Sequence, residues 1–540
     1  MKTSRQLLLT ISLMAGNLAF GTNNSSESGK AEDKNLKNKR PNILFCIADD
    51  ATYLHFSKYG CKWVHTPSFD RVANNGILFS NAYTPNAKSA PSRACLLTGL
   101  NSWQLEEAGN HIGYWPENKY ITFMEALSKQ DYFVGFTGKP WAPGNMRTIN
   151  GKPRELNGKA FQSRKLVPPT KEISSTDYSL NFEDFLKELP TGKPWCFWYG
   201  GHEPHRAYEF KAGVNKGGKT LTEIGKVPDF WPDNDSIRND MLDYAYEIEY
   251  FDNQLGKLIQ KLEFNGELEN TIIVVTADNG MPFPRSKGIE YEYSNHIPLA
   301  IMWPKGIKNP GRTDSSYISF IDIAPTFIEA AGLKPEITGM SPMQGKSIVD
   351  IFSDTLKLDR SYILLGQERH DVGRPHNQGY PVRSIIQDGF LYIYNFKPDL
   401  WPMGNPETGY LNTDGSPTKS VILNMRRSGV DKSFWKLNFG KHPQEEMYQI
   451  SVDKDCLINL SENKQYLLTK DKLKKKLFSE LVKQKDPRVL GNGDIFDHYQ
   501  LFEEPYRDFY ERFSNGEQHI ADGTYMWVNK SDYETEEIDN

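Results

Sequence analysis

The segment Pro41-Asn42-Ile43-Leu44-Phe45-Cys46-Ile47-Ala48 runs apolar from Ile43 onward and stops abruptly at Asp49-Asp50. Successive side chains of a strand point to opposite faces, so a strand apolar at every position needs cover on both sides. The segment therefore predicts a central strand of a sheet sandwiched between helices. Gly76 to Tyr83, Tyr132 to Thr137, Trp195 to Tyr199, Thr271 to Thr276 and Ile297 to Trp303 read as further strands. Helices are expected between them, over Thr66–Asn75 with Gly76 as its stop, over Ile121–Lys129 and over Met241–Leu262. In the last of these Met241, Ala245, Ile248, Leu255, Ile259 and Leu262 recur at helical spacing. The segment Ile318 to Ala331 closes the series at Gly332. Such alternation predicts an α/β fold with a largely parallel sheet, whose polar residues gather at the strand ends.

The pattern changes after about Asp354. A Pro-, Gly- and Asn-rich stretch from Lys397 to Thr418 is followed by a helix candidate near Lys470 to Lys483. This reads as a smaller C-terminal α+β unit with an antiparallel sheet. The expected organisation is a signal peptide over 1–21, a leader over 22–40, a catalytic α/β domain over 41–353 and a C-terminal subdomain over 354–540 that adds to the substrate pocket. The signal reading rests on Lys2 and Arg5, the short apolar stretch Leu7 to Leu18, and the small-x-small site Ala19-Phe20-Gly21. It predicts export, to the periplasm or beyond in a bacterium, and no later segment has transmembrane length. A net charge of -5 gives no basic field for nucleic acid. Five cysteines, odd in number and irregular in spacing, imply neither a disulfide framework nor a zinc site.

Two strand ends carry the hard oxygen donors Asp49-Asp50 and Asp278-Asn279. Either pair alone is a common turn; together they suit Ca²⁺, with Mg²⁺ as the alternative. Between them lies Ser89-Ala90-Pro91-Ser92-Arg93-Ala94-Cys95-Leu96-Leu97-Thr98-Gly99. A plain serine there has no base beside it in sequence and would be a poor nucleophile. Arg93 falls one helical turn after Ser89 on the same face. Lys139 follows a strand, as do His202 and His205, whose imidazoles suit proton transfer near neutrality.

The Ser89–Gly99 run resembles the signature of the formylglycine-dependent sulfatases, [Cys/Ser]-x-Pro-Ser-Arg-x-x-x-[Leu/Met]-Thr-Gly. The resemblance extends from Pro41 to about Lys483 and includes Ile323-Ala324-Pro325-Thr326 and Glu446-Met447-Tyr448-Gln449-Ile450. It implies an alkaline-phosphatase-like architecture: a large mixed, mostly parallel sheet flanked by helices, beside the smaller α+β unit. It also implies that Ser89 is oxidised to formylglycine (3-oxoalanine), whose hydrate attacks sulfur and then collapses to release sulfate. A serine precursor implies an anaerobic, oxygen-independent sulfatase-maturating enzyme as partner. The implied metal ligands are Asp49, Asp50, Ser89, Asp278 and Asn279. Arg93, Lys139 and Lys287 are implied as the groups that neutralise the sulfate, with Arg285 competing for the place of Lys287. His202 is expected to protonate the leaving group and His205 to contact substrate. At the position where the family commonly has Gly-Lys-x-His, this chain has Trp141.

Asp278-Asn279-Gly280-Met281-Pro282-Phe283-Pro284, Gly366-Gln367-Glu368-Arg369-His370 and Tyr380-Pro381-Val382-Arg383-Ser384 resemble the heparan N-sulfatase (sulfamidase) group. This implies a sulfated glucosamine substrate, from heparan sulfate or heparin, and a pocket lined by Glu368, Arg369, His370 and Arg383. For Arg383 an interdomain salt-bridge role is nearly as well supported. Three alternatives stay open: an O-sulfatase, for instance on 6-O-sulfated N-acetylglucosamine; a phosphodiesterase or phosphonate hydrolase of the same architecture; and a non-catalytic sugar-binding relative.

Overall fold

The computed structural model describes residues 40–149, 152–355, 358–517 and 527–538. The expected signal peptide and the leader up to residue 39 lie outside the described residues. Strand β1 (Asn42–Ala48) is followed by helix α1 (Pro67–Asn74), β2 (Ile77–Tyr83) and helix α2 (Ser89–Thr98). Then come α3 (Phe123–Lys129), β3 (Phe133–Gly138), the two-residue β4 (Lys159–Ala160), α4 (Tyr178–Glu188) and β5 (Trp195–Gly200). The long helix α5 (Asp235–Phe264) leads to β6 (Thr271–Ala277), β7 (Leu299–Met302), β8 (Arg312–Ser319) and α6 (Ile323–Ala330). These strands form one sheet of eight in the order β8-β2-β7-β6-β1-β5-β3-β4. All its pairings are parallel except the two made by β7, with β6 and β2.

β1 is covered on both sides, as its composition requires. Leu44, Cys46 and Ala48 pack into one apolar cluster with Phe251, Leu255 and Ile259 of α5. Ile43, Phe45 and Ile47 pack into another, with Ala90 and Leu96 of α2 and Phe327 of α6. β6 alternates in the same way, Ile273 and Val275 to the first side and Ile272 and Val274 to the second. The carboxyl ends of these two central strands therefore have only one way to present polar groups, which is at the edge where Asp49, Asp50, Asp278 and Asn279 stand.

The C-terminal part of the chain builds a second, fully antiparallel sheet from β9 (Tyr362–Gln367), β10 (Val382–Gln387), β11 (Phe390–Asn395) and β12 (Glu445–Tyr448). Between β11 and β12 lies helix α7 (Pro417–Arg427), and α8 (Leu467–Lys483) follows β12. Leu473, Leu477 and Leu481 of α8 pack on Leu364, Ile385 and Tyr392 of this sheet. The fold is thus the mixed, mostly parallel sheet flanked by helices, with a small antiparallel sheet beside it. Among the described residues no helix is long and apolar enough to cross a membrane.

Candidate active site

α2 starts at the cleft and buries all ten of its residues. Ser92 fixes its depth, because its hydroxyl donates to the Asp278 carbonyl oxygen (2.5 Å) and accepts from Thr84 Oγ1 (2.8 Å). Ser89 therefore arrives directly above the ends of β1 and β6. Its Oγ donates to Asp49 Oδ1 (3.2 Å) and accepts from Lys139 Nζ (3.2 Å). Lys139 also donates to both Asp49 oxygens, at 2.8 and 2.6 Å. Gly138, at φ 76°, makes this turn possible: a Cβ there would stand 1.8 Å from the Gly200 carbonyl oxygen.

Asp49, Asp50 and Asp278 are buried and offer carboxylate oxygens within 4.8 Å of one another. Asp50 holds a left-handed backbone (φ 72°), and its N–H donates to Asp278 Oδ1 (2.9 Å). Asn279 Nδ2 donates to Asp50 Oδ1 (2.7 Å), while Asn279 Oδ1 is buried without a partner. Three carboxylates and an amide oxygen lacking a donor fit a hard cation such as Ca²⁺.

Burial drives Asp49 up, but Lys139, then His205 and Arg93, hold it well below the usual carboxylate range. Burial pushes Asp278 in the opposite direction, against the pull of Arg93. Lys287 donates to Asp50 Oδ2 (2.6 Å) and Asp414 Oδ2 (2.9 Å). Burial pulls its ammonium down, yet Asp414 and Asp50 together raise it, so it stays charged. Arg285, the competitor, turns away: its guanidinium donates to the Leu437 and Cys456 carbonyl oxygens and stacks on Tyr291 at 4.2 Å.

Arg93 lies beneath the cleft. Its Nε donates to Asp278 Oδ2 (2.9 Å), Nη2 to Asp49 Oδ1 (3.2 Å) and Nη1 to the Lys139 carbonyl oxygen (2.9 Å). It acts on the carboxylates first. His202 and His205 both line the cleft. His205 Nδ1–H donates to the Arg206 carbonyl oxygen (2.6 Å), which leaves Nε2 facing Asp50 Oδ2 at 3.8 Å. For His202, withdrawal from bulk water inside the cleft, reinforced by Lys139 and Arg93 against Asp49, lowers the imidazole to about 4. The unperturbed value near neutrality expected from sequence does not hold in the cleft, and the ring is neutral there at pH 7.

The cleft above these groups has a volume of about 660 Å³. Three residues that line it were not singled out from sequence. Lys88, adjacent to Ser89, donates to the Asn412 carbonyl oxygen (3.1 Å) and Oδ1 (3.3 Å), and burial next to Lys287 lowers it to about 8. His111 Nδ1–H donates to the His370 carbonyl oxygen (3.1 Å), and burial, with Lys88 beside it, holds the ring well below its ordinary value. Asp414 arrives from the Lys397–Thr418 stretch. The signature's own neighbour and the Asn412-Thr413-Asp414-Gly415 turn signalled two of these; nothing local signalled His111.

The expected pocket residues of the second sheet need correction. Glu368, Arg369, His370 and Arg383 are buried and do not line the cleft. Arg383 donates to Asp486 Oδ2 (2.7 Å) and Glu368 Oε1 (2.7 Å), and Glu368 also accepts from Arg488 (2.6 Å). Arg369 donates to the Asp497 and Tyr499 carbonyl oxygens, and His370 Nε2–H to Asn86 Oδ1 (2.7 Å). Arg383 and Glu368 bond within the fold, and although Arg369 Nε and His370 Nδ1 lack a partner among the described residues, both are buried off the cleft wall, so none of the four is placed to meet a sugar. Trp141 is buried as well. Its Nε1–H donates to the Ala90 carbonyl oxygen (2.9 Å), so it braces α2 from below.

The chain is 26% identical over 500 residues to an ulvan-active sulfatase of Formosa agariphila, covering 85% of this chain and 78% of that one. It is 24% identical over 494 residues to the N-sulphoglucosamine sulphohydrolase of Homo sapiens, covering 84% and 93%. A solved structure described as a complex with its substrate D-glucosamine-2-N,6-O-disulfate shares the fold, with a TM-score of 0.59, 22% identity, and coverage of 83% and 99%. The sulfatase family profile matches residues 41–333, more than half of the chain and all of the elements that build the cleft floor. With Ser89, Lys139 and the buried carboxylates gathered at the ends of its central strands, the chain belongs to the sulfatase family of hydrolases.

Proposed function

We propose that the protein removes sulfate from a sulfated glucosamine of a glycan, with the N-sulfate as its target, using residue 89 in its oxidised form. The observation that carries the sulfatase chemistry is Ser89 Oγ lying 3.2 Å from both Asp49 and Lys139 over the buried carboxylates. The similarity to an N-sulphoglucosamine sulphohydrolase along most of both chains supports the N-sulfate reading.

Once Ser89 is matured to formylglycine and Asp49, Asp50, Asp278 and Asn279 hold Ca²⁺, the site supplies a geminal diol and a Lewis acid for the sulfate oxygens. The chain's own side chains do the rest. Lys139 and Lys287 face the cleft with charge held in place by Asp49 and by the Asp50–Asp414 pair, where they neutralise the bound sulfate and its developing charge. Arg93 keeps Asp49 and Asp278 ionised and fixed. His202 is neutral until an anion enters; a sulfate beside the ring favours its charged form, so it can carry the proton for the departing amine. His205, anchored through Nδ1, presents Nε2 to the same space.

We place the protein outside the bacterial cytoplasm after removal of residues 1–21, with an oxygen-independent maturase acting on Ser89. The test is sulfate release from N-sulfated and from 6-O-sulfated glucosamine by protein co-expressed with such a maturase, together with the mass of the peptide bearing residue 89. Release from the N-sulfated sugar alone, abolished by chelator and by Ser89→Ala, is the expected result. Release from the 6-O-sulfated sugar alone keeps the mechanism and replaces the substrate.

A further inference from the structure

We propose that Lys88 is a substrate-binding residue whose ammonium takes an anionic oxygen of the saccharide, on the sulfate being removed or on a second acidic substituent. The proposal rests on the sulfated-saccharide reading above and adds one cation to the groups that meet the substrate.

Burying a lysine is costly unless a counter-charge offsets the lost hydration. Four lysines are buried among the described residues: Lys88, Lys219, Lys287 and Lys419. Three of them have an acidic partner. Lys219 pairs with Glu249 (2.6 Å), Lys287 with Asp50 and Asp414 (2.6 and 2.9 Å), and Lys419 with Asp532 (3.5 Å). Lys419 also donates to the carbonyl oxygens of Gly409, Tyr410 and Thr413, and it does not line the cleft. Lys88 is the exception. Its Nζ donates to two neutral oxygens of one residue, the Asn412 carbonyl (3.1 Å) and Oδ1 (3.3 Å), and no described carboxylate forms an ion pair with it.

The acids around Lys88 are already engaged. Asp50 and Asp414 both accept from Lys287, and Asp371 pairs with Arg374 (2.7 Å). Its other neighbours, His111 and His370, are rings that burial keeps neutral. The segments carrying Lys88 and Lys287 are tied together: the Gly288 N–H donates to the Ala87 carbonyl oxygen (3.0 Å), and Asn412 Nδ2 donates to that of Gly288 (2.6 Å). Burial and the Lys287 ammonium both act against the charge on Lys88.

Lys88 nevertheless lines the same cleft as Ser89, Lys139 and Lys287. An ammonium has three N–H donors, and Asn412 accounts for at most two of them. A sugar hydroxyl would take the remaining donor and leave the charge uncompensated. A sulfate or carboxylate oxygen supplies both, in a charge-assisted hydrogen bond. Lys139 and Lys287 already have carboxylates against them, so Lys88 is the cleft lysine with the most to gain from an anion.

The deciding experiment is calorimetric titration of the full chain in Ca²⁺, with Ser89 unmodified so that no ligand is consumed. The ligands are inorganic sulfate and D-glucosamine-2-N,6-O-disulfate. Lys88→Gln keeps a donor for Asn412 and removes the charge; Lys88→Met removes both with a side chain suited to a buried place. Melting temperatures show which variants are folded. Each folded variant is expected to bind the disulfated sugar at least about tenfold more weakly than the unsubstituted protein. A loss shared by inorganic sulfate puts Lys88 on the sulfate being removed, and a loss confined to the sugar puts it on a second acidic group. Unchanged affinity for the disulfated sugar in either folded variant overturns the proposal and leaves the sulfatase chemistry standing. An unsubstituted protein that binds neither ligand counts against the sulfated-saccharide reading, and the proposal falls with it.

Discussion

Two clusters of buried charge in this molecule look alike on paper and behave differently. At the cleft floor, Arg93, Lys139 and Lys287 face Asp49, Asp50 and Asp278. Behind the second sheet, Arg383 and Arg488 face Glu368 and Asp486. The second cluster is closed. Arg383 uses Nε, Nη1 and Nη2 on Asp486, two backbone carbonyl oxygens and Glu368, and lies 5.1 Å from the Trp103 ring centroid. The first is open: among the described residues Asn279 Oδ1 has no partner, and Lys139 and Lys287 face a cleft. A charged motif therefore marks a site when it leaves valence unfilled beside a cavity. Where all its bonds are made inside the fold, it marks structure.

Arg383→Ala tests that distinction most severely. Removing one partner of a fully buried pair leaves Asp486 and Glu368 without their counter-ion, at a cost of about 3–5 kcal/mol in urea unfolding. KM of the remaining folded enzyme should not move. A raised KM with unchanged stability would return Arg383 to the substrate pocket. Lys287→Ala should give the converse, a kcat lower by about 10²–10³-fold, equivalent to roughly 2.7–4 kcal/mol of transition-state stabilisation. Its unfolding free energy should change by less than that of Arg383→Ala, since Asp414 lines the cleft and Asp50 keeps its hydrogen bond from Asn279 Nδ2.

Glu290 separates the two halves of the criterion. It is buried, with Asn295 beside it but no hydrogen bond of normal geometry to either carboxyl oxygen among the described residues, and it does not line the cleft. Burial pushes it up to about 8, from an ordinary 4.5. The folded state thus holds a proton that the unfolded chain gives up. Stability from this group is complete below pH 4.5 and is lost as pH rises through 8. Glu290→Gln should therefore raise the melting temperature at pH 8 and have much less effect at pH 5, with a gain on the order of 1–3 kcal/mol at the higher pH. Sulfate release should be unaffected. An equal effect at both pH values would show that the carboxyl does not change its protonation between them.

The open cluster was legible in sequence and the closed one was misread, for a physical reason. Asp49-Asp50 and Asp278-Asn279 end strands that are apolar on both faces, so the fold has one edge at which to present them, and Ser89 is set by a helix whose register the signature fixes. Glu368, Arg369 and Arg383 sit on or beside strands of the second sheet, where side chains alternate between faces. Which face meets the cleft depends on packing against α8 and on Asp486, more than a hundred residues away. His111 was missed for the same reason, because its importance comes from the cavity it borders. Glu534 pairs with Arg426 and Arg427 of α7, a long-range contact no local pattern announces.

Trp141 gives the smallest expected effect and the finest test of the comparison. The resemblance implies a histidine at this position, and the sequence leaves open what takes its place. In the structure the ring packs edge-on against Trp115, centroids 5.2 Å apart, and its N–H holds the Ala90 carbonyl oxygen next to Ser89. Trp141→Phe keeps the packing and removes that one hydrogen bond, which should cost about 0.5–1.5 kcal/mol of stability. KM for the sulfated sugar should hold, because no cleft-lining group is altered, while a small fall in kcat would report loosening of the first turn of α2. Trp141→His is the sharper companion. If the position belonged to the cleft, the imidazole would improve sulfate binding. Beneath α2 it can only replace a filled volume with a partly empty one that also holds a polar group, so stability should drop further than in Trp141→Phe with no gain in KM.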